Sequence, residues 1–341
     1  MRIGVLCPSE IAIRRFMPAL IQVQNVEFVG VGVNSIEERY GSKIPDKATT
    51  SMMIERGRKK AEAFTSTYGG KRFDSYRDVV CSSEIDSVYI PLPPALHYFW
   101  ANEALKQGKH VLLEKPATIS FPDTNDLVIS AKSHNLALHE NYMFIFHQQL
   151  DVIEELINSG EIGEVRLYRI SFGFPKRAAT DFRYDKRLGG GALIDAGGYT
   201  IKYATRLLGD TAEIQYAHLN YTDEFEVDVY GSAALINKDG VTAQIAFGMD
   251  NDYKCELEIW GSKGTLKTGR VLTAPAGFAP SMTIKKNTDI EERTLPADDA
   301  FKKSIEYFMK CVSDQRVRED NYKSILKQAQ LLEQFSAMAM R

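Results

Sequence analysis

Several features that would indicate a function directly are absent from this sequence. Its four cysteines are far apart and form no CxxC pair, so they indicate neither a zinc site nor a redox motif. Each is predicted to be a small, buried side chain. No apolar run approaches the roughly 20 residues of a membrane span, and the N-terminus lacks the pattern of a secretory signal. The formal net charge of −3 also argues against a nucleic-acid-binding protein, because such proteins are usually basic.

These absences predict a cytoplasmic protein without a membrane or nucleic-acid partner. No cluster of His, Asp and Glu side chains indicates a metal site. The 341 residues are 44% hydrophobic and 26% charged, which is ordinary for a globular protein with a large core. The length predicts two domains, which we expect over residues 1–141 and 142–341.

In the first part of the chain, short apolar runs alternate with helical patterns. Strands are predicted at 3–6, 26–33, 87–92, 110–113 and 137–140, and helices at 11–24, 52–67, 97–107 and 124–133. A further short element is expected near 76–81. This alternation predicts βαβ units and a parallel sheet. A parallel sheet whose first strand turns directly into a helix is typical of the doubly wound dinucleotide-binding fold.

The expected phosphate-binding loop lacks the glycines of the G-x-G-x-x-G/A motif. Cys7 and Ser9 occupy the first two glycine positions, and only Ala12 fits the third. Ser9 could present its amide and hydroxyl to a phosphate at the start of the helix. The alternative is that Ser9 is an ordinary helix N-cap.

The end of the second strand predicts NADP(H) in preference to NAD(H). Asn34 stands where an NAD site usually carries a carboxylate for the ribose hydroxyls. Arg39, Arg56 and Arg58 follow, and one of them could reach a 2′-phosphate. For any single arginine, the alternative is a solvated loop or helix face.

The second part of the chain has a different pattern. Strands are predicted at 165–174, 213–221, 227–235, 242–247, 255–260 and 264–267, after a helix at 151–160. Few helices separate these strands, so we expect a large, mostly antiparallel open sheet in a second α/β domain. The final segment, 300–340, is predicted to be helical.

A glycine-rich motif at 188–199 carries an acid and a phenol. Gly189, Gly190 and Gly191 lead into a helical turn with Asp195 and Tyr199, which are four residues apart and share a helix face. This arrangement suits a site for a polar substrate. The alternative is structural: Asp195 caps the helix and Tyr199 fills space between domains.

Three groups of residues together resemble a known family. They are Pro91-Leu92-Pro93 with His97, the sequence Glu114-Lys115-Pro116, and the glycine-rich motif through Asp195, Gly197 and Tyr199. The chain resembles the glucose–fructose oxidoreductase/inositol dehydrogenase/MocA family over nearly its whole length. Within that family it is most similar to the nucleotide-sugar 3-ketoreductases. The missing loop glycines and a longer connection after Ser35 depart from the family pattern.

The resemblance implies roles for particular residues. Lys115 is expected beside the nicotinamide, where its charge stabilises a developing alkoxide, and Tyr199 is expected to transfer the proton. Asp195 would orient Lys115 or a sugar hydroxyl. The expected cofactor-binding residues are Ser9, Glu10, Ile11, Asn34, Ser35, Leu92, Pro93, His97, Glu114, Lys115, Asn141 and Arg183.

For a nucleotide-sugar substrate, Arg14 or Arg15 could bind the diphosphate and Tyr253 could contact the base or the sugar. With Lys115, Asp195 and Tyr199 they form the expected substrate-binding set. The alternative for Arg14 or Arg15 is a surface salt bridge, and the alternative for Tyr253 is a core aromatic. His97 is expected to pack near the cofactor rather than to act as a base.

Three functions remain open from the sequence. The first is an NADP(H)-dependent reductase of a keto group on a nucleotide-linked sugar. The second is a dehydrogenase of a free sugar, a polyol or a dihydrodiol. The third is a catalytically weak redox-sensing or scaffold protein, which the altered phosphate loop favours and the presence of Lys115, Asp195 and Tyr199 disfavours. The family resemblance also implies a homodimer or homotetramer.

Overall fold

The computed structural model describes residues 1–35, 37–38 and 47–339, which form two compact units. The first unit consists of residues 1–117, 122–141 and 305–323, and the second of 118–121, 142–304 and the chain from 324 on. These units differ from the expected two segments because residues 305–323 belong with the first. The division of function at residues 141 and 142 stays a prediction.

The first unit contains a six-stranded parallel sheet in the order β3-β2-β1-β4-β5-β6. Its strands are β1 (Arg2–Val5), β2 (Glu27–Gly32), β3 (Lys71–Phe73), β4 (Ser87–Ile90), β5 (His110–Leu113) and β6 (Leu138–Glu140). The strand order reverses between β1 and β4, which is where doubly wound sheets bind dinucleotides. The predicted fold of this unit is confirmed.

Helices connect these parallel strands. A π-helical turn (Ala12–Phe16) continues into α1 (Met17–Leu20), and the later helices are α2 (Lys47–Tyr68), α3 (Tyr76–Cys81), α4 (His97–Lys106) and α5 (Phe121–Ser133). All four residues of β4 are buried. A parallel strand covered on both faces needs such a continuous apolar run.

The second unit contains an eight-stranded sheet in the order β14-β13-β12-β11-β7-β10-β9-β8. Its strands are β7 (Val165–Gly173), β8 (Glu213–Thr222), β9 (Phe225–Ile236), β10 (Thr242–Gly248), β11 (Lys254–Gly261), β12 (Thr265–Gly269), β13 (Ser281–Lys286) and β14 (Asp289–Thr294). The β7–β10 pair is parallel and the other pairs are antiparallel, so the predicted mostly antiparallel sheet is confirmed.

One face of this sheet belongs to the hydrophobic core. In β11, Cys255, Leu257 and Ile259 are buried while Lys254 and Glu256 are exposed, the alternation expected of a sheet covered on one side. The core also includes side chains of α6 (Gln149–Asn158), a π-helical turn (Leu193–Gly197) and α7 (Gly198–Leu208). The chain ends with α8 (Ala300–Ser313) and α9 (Gln315–Ala339).

Several sequence-based expectations were wrong in detail. The predicted single helical segment at 300–340 is two helices, and Asp314 between them accepts a hydrogen bond from the Arg316 amide at 2.8 Å. The hairpin β13–β14 was missed: β14 is mostly charged and has no apolar alternation, whereas the alternation of β13, with Met282 and Ile284 buried, was overlooked. The short strand β3 was missed, and the element at 76–81 is the helix α3.

The cysteines also differ from the prediction. Cys255 and Cys311 are buried, whereas Cys7 is partly buried and Cys81 is exposed at the end of α3. The expectation of a buried side chain is therefore wrong for Cys81. Among the helices of the described residues, none combines the length and the apolar character that a bilayer crossing requires.

Candidate active site

The loop after β1 is organised around Ser9. The Ser9 hydroxyl accepts a hydrogen bond from the Ala12 amide at 3.3 Å, the geometry of a helix N-cap. Glu10 pairs with Arg14 at 2.6 Å on the exposed surface. Phosphate binding by Ser9, Glu10 and Ile11 stays a prediction, and so does diphosphate binding by Arg14 or Arg15.

A pocket of about 330 Å³ lies beyond the end of β2. It is lined by Val33, Asn34, Ser35, Glu37, Ile54, Arg58 and Asp74. Asp74 pairs with Arg72 at 3.2 Å, and Arg72 also pairs with Glu62 at 3.1 Å. Of the three arginines considered for a 2′-phosphate, Arg58 lines this pocket, Arg56 does not, and Arg39 lies outside the described residues.

The residues of this pocket fit the adenosine ribose of a dinucleotide. The end of the second strand is where such a ribose lies in doubly wound sheets. Asn34 and Ser35 offer neutral polar groups, and Arg58 offers a guanidinium that could pair with a phosphate. Glu38 lies near this pocket, but its carboxylate is already hydrogen-bonded to the backbone. It accepts hydrogen bonds from the Ser35 amide at 2.8 Å and the Tyr76 amide at 3.0 Å.

His97 connects the segments that follow β4 and β5. Its Nε2 lies 2.8 Å from the Leu92 carbonyl oxygen and its Nδ1 2.8 Å from the Pro116 carbonyl oxygen. Two carbonyl acceptors favour a protonated ring, but complete burial outweighs them and lowers the pKa of His97 to about 4. A neutral ring donates a hydrogen bond to only one of the two carbonyls, and its full enclosure between these segments makes it poorly suited to act as a base.

Glu114 joins three strand ends. It directly follows β5 and accepts hydrogen bonds from the Tyr89 hydroxyl at 2.7 Å and from Asn141 Nδ2 at 2.8 Å. Burial raises the pKa of Glu114, and those two donors oppose the rise. Lys115 therefore lies between two residues with contacts of their own. Glu114 is hydrogen-bonded to side chains from β4 and from the end of β6, and the Pro116 carbonyl contacts His97.

In the second unit, residues of the glycine-rich motif contact Asp228, which belongs to β9. Asp228 accepts a hydrogen bond from the Leu193 amide at 2.6 Å, at the start of the π-helical turn. Gly191 has φ +121°, and a Cβ there would clash with the Asp228 carboxylate. Burial raises the pKa of Asp228 to about 6, against the backbone amides of Leu193 and Ala192 that favour the charged form. Asp228, and not Asp195, accepts the Leu193 amide at the start of this turn.

Asp195 is bound to Arg183. The Arg183 Nε donates to Asp195 Oδ2 at 2.6 Å, and its Nη1 donates to Asp181 Oδ1 at 3.1 Å. These carboxylates raise the pKa of Arg183 although burial opposes them. The sequence offered Arg183 as a cofactor-binding residue and did not predict its contact with Asp195. Cofactor binding by Arg183 stays a prediction.

Tyr199 lies in an aromatic cluster. Its ring centroid is 5.3 Å from that of Tyr142, 5.7 Å from that of Phe144 and 5.3 Å from that of Phe172. Edge-to-face packing of this kind restricts the orientation of a phenol ring. Gly198 permits the arrangement, because a Cβ at that position would clash with the Tyr142 hydroxyl.

Tyr253 precedes β11 and contacts an arginine that the sequence did not single out. Its hydroxyl accepts a hydrogen bond from Arg270 Nη1 at 2.8 Å and lies 3.0 Å from Thr273 Oγ1. Tyr253 is 40% exposed, so it is not a core aromatic.

Two sequence models of protein families match the chain. Residues 25–142 match an oxidoreductase family with an NAD-binding Rossmann fold, and residues 151–267 match the GFO/IDH/MocA C-terminal domain. The chain belongs to the GFO/IDH/MocA family of oxidoreductases. The predicted family and enzyme class are confirmed.

Full-length relatives in this family share about a third of their residues with the chain. A dTDP-3,4-didehydro-2,6-dideoxy-α-D-glucose 3-reductase of Saccharopolyspora spinosa is 35% identical over 338 residues, covering 97% of this chain and 95% of the relative. The reductase of that name from Actinomadura kijaniata is 36% identical over 333 residues, covering 97% and 93%.

Solved structures of two other proteins have the same architecture. A 3-ketoreductase from Actinomadura kijaniata, in complex with NADP and TDP-benzene, superposes with a TM-score of 0.89 at 34% identity, covering 99% of this chain and 97% of that one. An aldose–aldose oxidoreductase from Caulobacter crescentus superposes with a TM-score of 0.83 at 20% identity, covering 100% and 97%, which supports the fold alone.

Some residues of interest in this family member had no local sequence signal. Asp228 acts on the glycine-rich motif from 35 residues further along the chain. Arg270 adopts an unusual backbone conformation that its residue type does not predict. Arg58 was one of three arginines between which the sequence could not choose.

Proposed function

We propose that this protein reduces a keto group on a sugar linked to a nucleoside diphosphate, with NADP(H) as cofactor. The observation that carries this proposal is the similarity over nearly the full length to dTDP-sugar 3-reductases, in a chain that has Lys115 after β5 and Tyr199 on the glycine-rich helix. The solved 3-ketoreductase complex with NADP and TDP-benzene supports both the cofactor and the nucleotide part of the substrate.

The first unit would bind the cofactor. Asn34 and Ser35 would contact the adenosine ribose, and Arg58 would pair with its 2′-phosphate. Asn34 supplies no carboxylate at the end of β2, and the acids that line the pocket are Glu37 and Asp74. When bound, the nicotinamide ring supplies the hydride that is added to the carbonyl carbon.

Lys115 would stabilise negative charge on the carbonyl oxygen. A cationic ammonium near this oxygen lowers the energy of the developing alkoxide. The backbone of Lys115 is fixed on both sides, because Glu114 is hydrogen-bonded to Tyr89 and Asn141 and the Pro116 carbonyl contacts His97. Positioning by neighbours of this kind reduces the reorganisation that the reaction requires.

Tyr199 would donate its phenolic proton to the same carbonyl oxygen, so that the carbonyl becomes a hydroxyl group. Its surrounding rings hold the phenol in one orientation, which favours proton transfer along a fixed direction. Asp195, fixed by Arg183, would orient a neighbouring hydroxyl of the sugar. In the reverse direction Tyr199 would accept the proton.

The deciding experiment compares substrates with the purified protein. Oxidation of NADPH and of NADH is followed with a dTDP-linked 3-keto sugar and with the matching free keto sugar. Reduction of NADP⁺ is followed with D-xylose, because a D-xylose 1-dehydrogenase from Haloferax volcanii is 27% identical over 313 residues, covering 92% of this chain and 89% of the relative. We expect turnover with NADPH and the dTDP-linked sugar. Faster turnover of the free sugars would contradict the proposal in favour of a free-sugar dehydrogenase.

A further inference from the structure

Arg270 has a backbone conformation that its side chain does not favour. Among the non-glycine residues of the described ranges, four have positive φ angles, and three of these are asparagines: Asn25, Asn135 and Asn287. The fourth is Arg270, with φ 55°. Asparagine enters this left-handed region more easily because its short polar side chain can hydrogen-bond to the nearby backbone, whereas arginine bears the steric cost of its Cβ without that compensation. Residues held in such conformations often mark functional sites.

The unusual backbone places the Arg270 guanidinium against Tyr253. The guanidinium carbon lies 4.5 Å from the centroid of the Tyr253 ring, and Nη1 donates to the Tyr253 hydroxyl at 2.8 Å. The Arg270 carbonyl accepts a hydrogen bond from Gln149 Nε2 at 3.4 Å. Both the side chain and the backbone are therefore tied to neighbouring residues, although the side chain is exposed.

The charge of Arg270 is not balanced by an acid. Within the part of the chain that the structure describes, no carboxylate lies within 4.0 Å of its guanidinium, in contrast to Arg183, which is paired with Asp195 and Asp181. An oriented arginine without a carboxylate presents its planar set of donors to an anion. Phosphate groups are the common biological anions that match this geometry.

A series of contacts within the second unit leads from Tyr199 towards Arg270. The Tyr199 ring packs on Phe172, and Phe172 pairs with Cys255 in the next strand of the sheet. Tyr253 is two residues before Cys255, roughly 7 Å along the strand. The Thr273 hydroxyl, near that of Tyr253, also contacts Cys255 Sγ at 3.4 Å. The proposed proton donor therefore packs on β7, and the anion-binding geometry lies beside the start of β11, the strand that pairs with β7.

We propose that Arg270, oriented by Tyr253, binds the diphosphate of the nucleotide-linked substrate. This inference rests on the proposed function and assigns the phosphate contact to a residue of the second unit. In a nucleotide-linked sugar the diphosphate is separated from the reacting keto carbon by part of one sugar ring, so its binding site must lie near the proton donor but not at it. Of the two candidates from the sequence, Arg14 has its charge balanced by Glu10, whereas diphosphate binding by Arg15 stays a prediction.

The test measures equilibrium binding of thymidine diphosphate and of thymidine by titration calorimetry in the presence of NADP⁺. For Arg270→Ala we expect thymidine diphosphate to bind roughly tenfold to hundredfold more weakly, the range for a lost hydrogen bond to a charged group. Thymidine, which has no phosphate, should bind equally to the variant and the wild type. Arg166→Ala is the control, because Arg166 is an exposed arginine near the start of β7 in the same sheet.

Arg270→Gly separates binding from folding. Glycine adopts positive φ without a steric cost, so this variant should keep or raise the melting temperature while losing the same affinity for thymidine diphosphate. A clear fall in the melting temperature would make Arg270 a structural residue and overturn the inference. An equal loss of affinity for thymidine would also overturn it, because the effect would then not depend on phosphate.

The outcomes distinguish this inference from the proposed function. If the wild type binds thymidine diphosphate and Arg270→Ala binds it equally well, the inference fails and the proposed function stands. If Arg270→Ala weakens binding but the wild type does not reduce dTDP-linked keto sugars, the inference stands and the proposed function fails. If the wild type does not bind thymidine diphosphate, both fail.

Discussion

The two units hold their proposed reactive residues by different means. In the first unit Lys115 lies just after β5, and its neighbours Glu114 and Pro116 contact Tyr89 on β4 and His97 at the start of α4. In the second unit Tyr199 lies on a helix whose first turn is fixed by Asp228, a residue from a later strand. Side chains from β4 and α4 hold the segment of the first residue, and a single acid from a later strand holds the turn before the second.

This difference determines what a substitution can reveal. A change at Lys115 alters a side chain on a backbone that its neighbours still hold, so it should report on chemistry alone. A change at Tyr199 or Asp228 alters residues that also belong to the packing of the second unit. Variants in the second unit therefore need a stability measurement beside each rate.

The largest expected effect is that of Tyr199→Phe. This variant keeps the ring and its packing on Phe172 but removes the proton that the reaction needs. The rate of the chemical step should fall by roughly a hundredfold to ten-thousandfold, the contribution of general acid catalysis. Single-turnover kinetics with NADPH and the melting temperature are the measurements, and the melting temperature should change little.

Tyr199→Ala is the matched comparison for packing. It leaves a cavity among Tyr142, Phe144 and Phe172, so it should lower the free energy of unfolding by about 3–5 kcal/mol. An active Phe variant together with an unstable Ala variant would assign Tyr199 to structure and remove it from the mechanism.

Lys115→Met should reduce the rate by on the order of a hundredfold, because one charge-stabilising group is lost from the site. The side chain keeps a similar length, and the contacts of Glu114 and His97 remain. The affinity for NADPH, measured by fluorescence titration, should therefore change little. Near-normal turnover in this variant would exclude Lys115 from the reaction, whereas loss of NADPH binding would make it a cofactor-binding residue instead.

The fold could be predicted from the sequence to the extent that its patterns are local. Apolar runs and intervening helices gave the parallel sheet of the first unit, and β7–β12 were found from their alternation. The strand β14 was missed because its sequence, Asp289–Thr294, is mostly charged and its burial pattern does not alternate.

Residues of the candidate site could likewise be predicted where the local sequence carries a motif. Lys115 was found from the resemblance of Glu114-Lys115-Pro116 to a family motif after a predicted strand, and Asp195 and Tyr199 from the glycine-rich motif. The contact between Arg183 and Asp195 was not foreseen, although only 12 residues separate them, because the intervening 3₁₀ turns have no distinctive pattern. Asp228 and Arg270 were missed because their importance arises from tertiary contacts and from a backbone angle.

Asp228→Asn tests the long-range contact through the pH dependence of stability. In the folded protein the pKa of Asp228 is raised from 3.8 to about 6 by burial. Because the folded state binds this proton more tightly than the unfolded chain, the contribution to stability is complete below pH 3.8 and is lost as the pH rises through about 6. The shift corresponds to about 3 kcal/mol.

Asparagine does not ionise, so the stability of Asp228→Asn should not fall as the pH rises through about 6. Between pH 4 and pH 7 the free energy of unfolding of the wild type should fall by up to about 3 kcal/mol relative to that of the variant, measured by urea unfolding at each pH. Asp239→Asn, on an exposed turn, is the control. Parallel pH profiles for the wild type and Asp228→Asn would show that Asp228 does not titrate in this range.

The smallest expected effect concerns the cofactor pocket of the first unit. Arg58 lines this pocket and is exposed, so its pairing with a 2′-phosphate is partly screened by solvent. Arg58→Ala should weaken NADPH binding by roughly threefold to tenfold and leave NADH binding unchanged, because NADH has no 2′-phosphate. Arg56→Ala is a matched control, since Arg56 is exposed on the same helix, α2, but does not line the pocket. Fluorescence titration of both cofactors gives the result, and the preference for NADPH should also weaken with added salt.

If Arg58→Ala weakened the binding of NADH as much as that of NADPH, the pocket would not recognise the phosphate. Equal effects of the two arginine variants would instead indicate a general effect of surface charge.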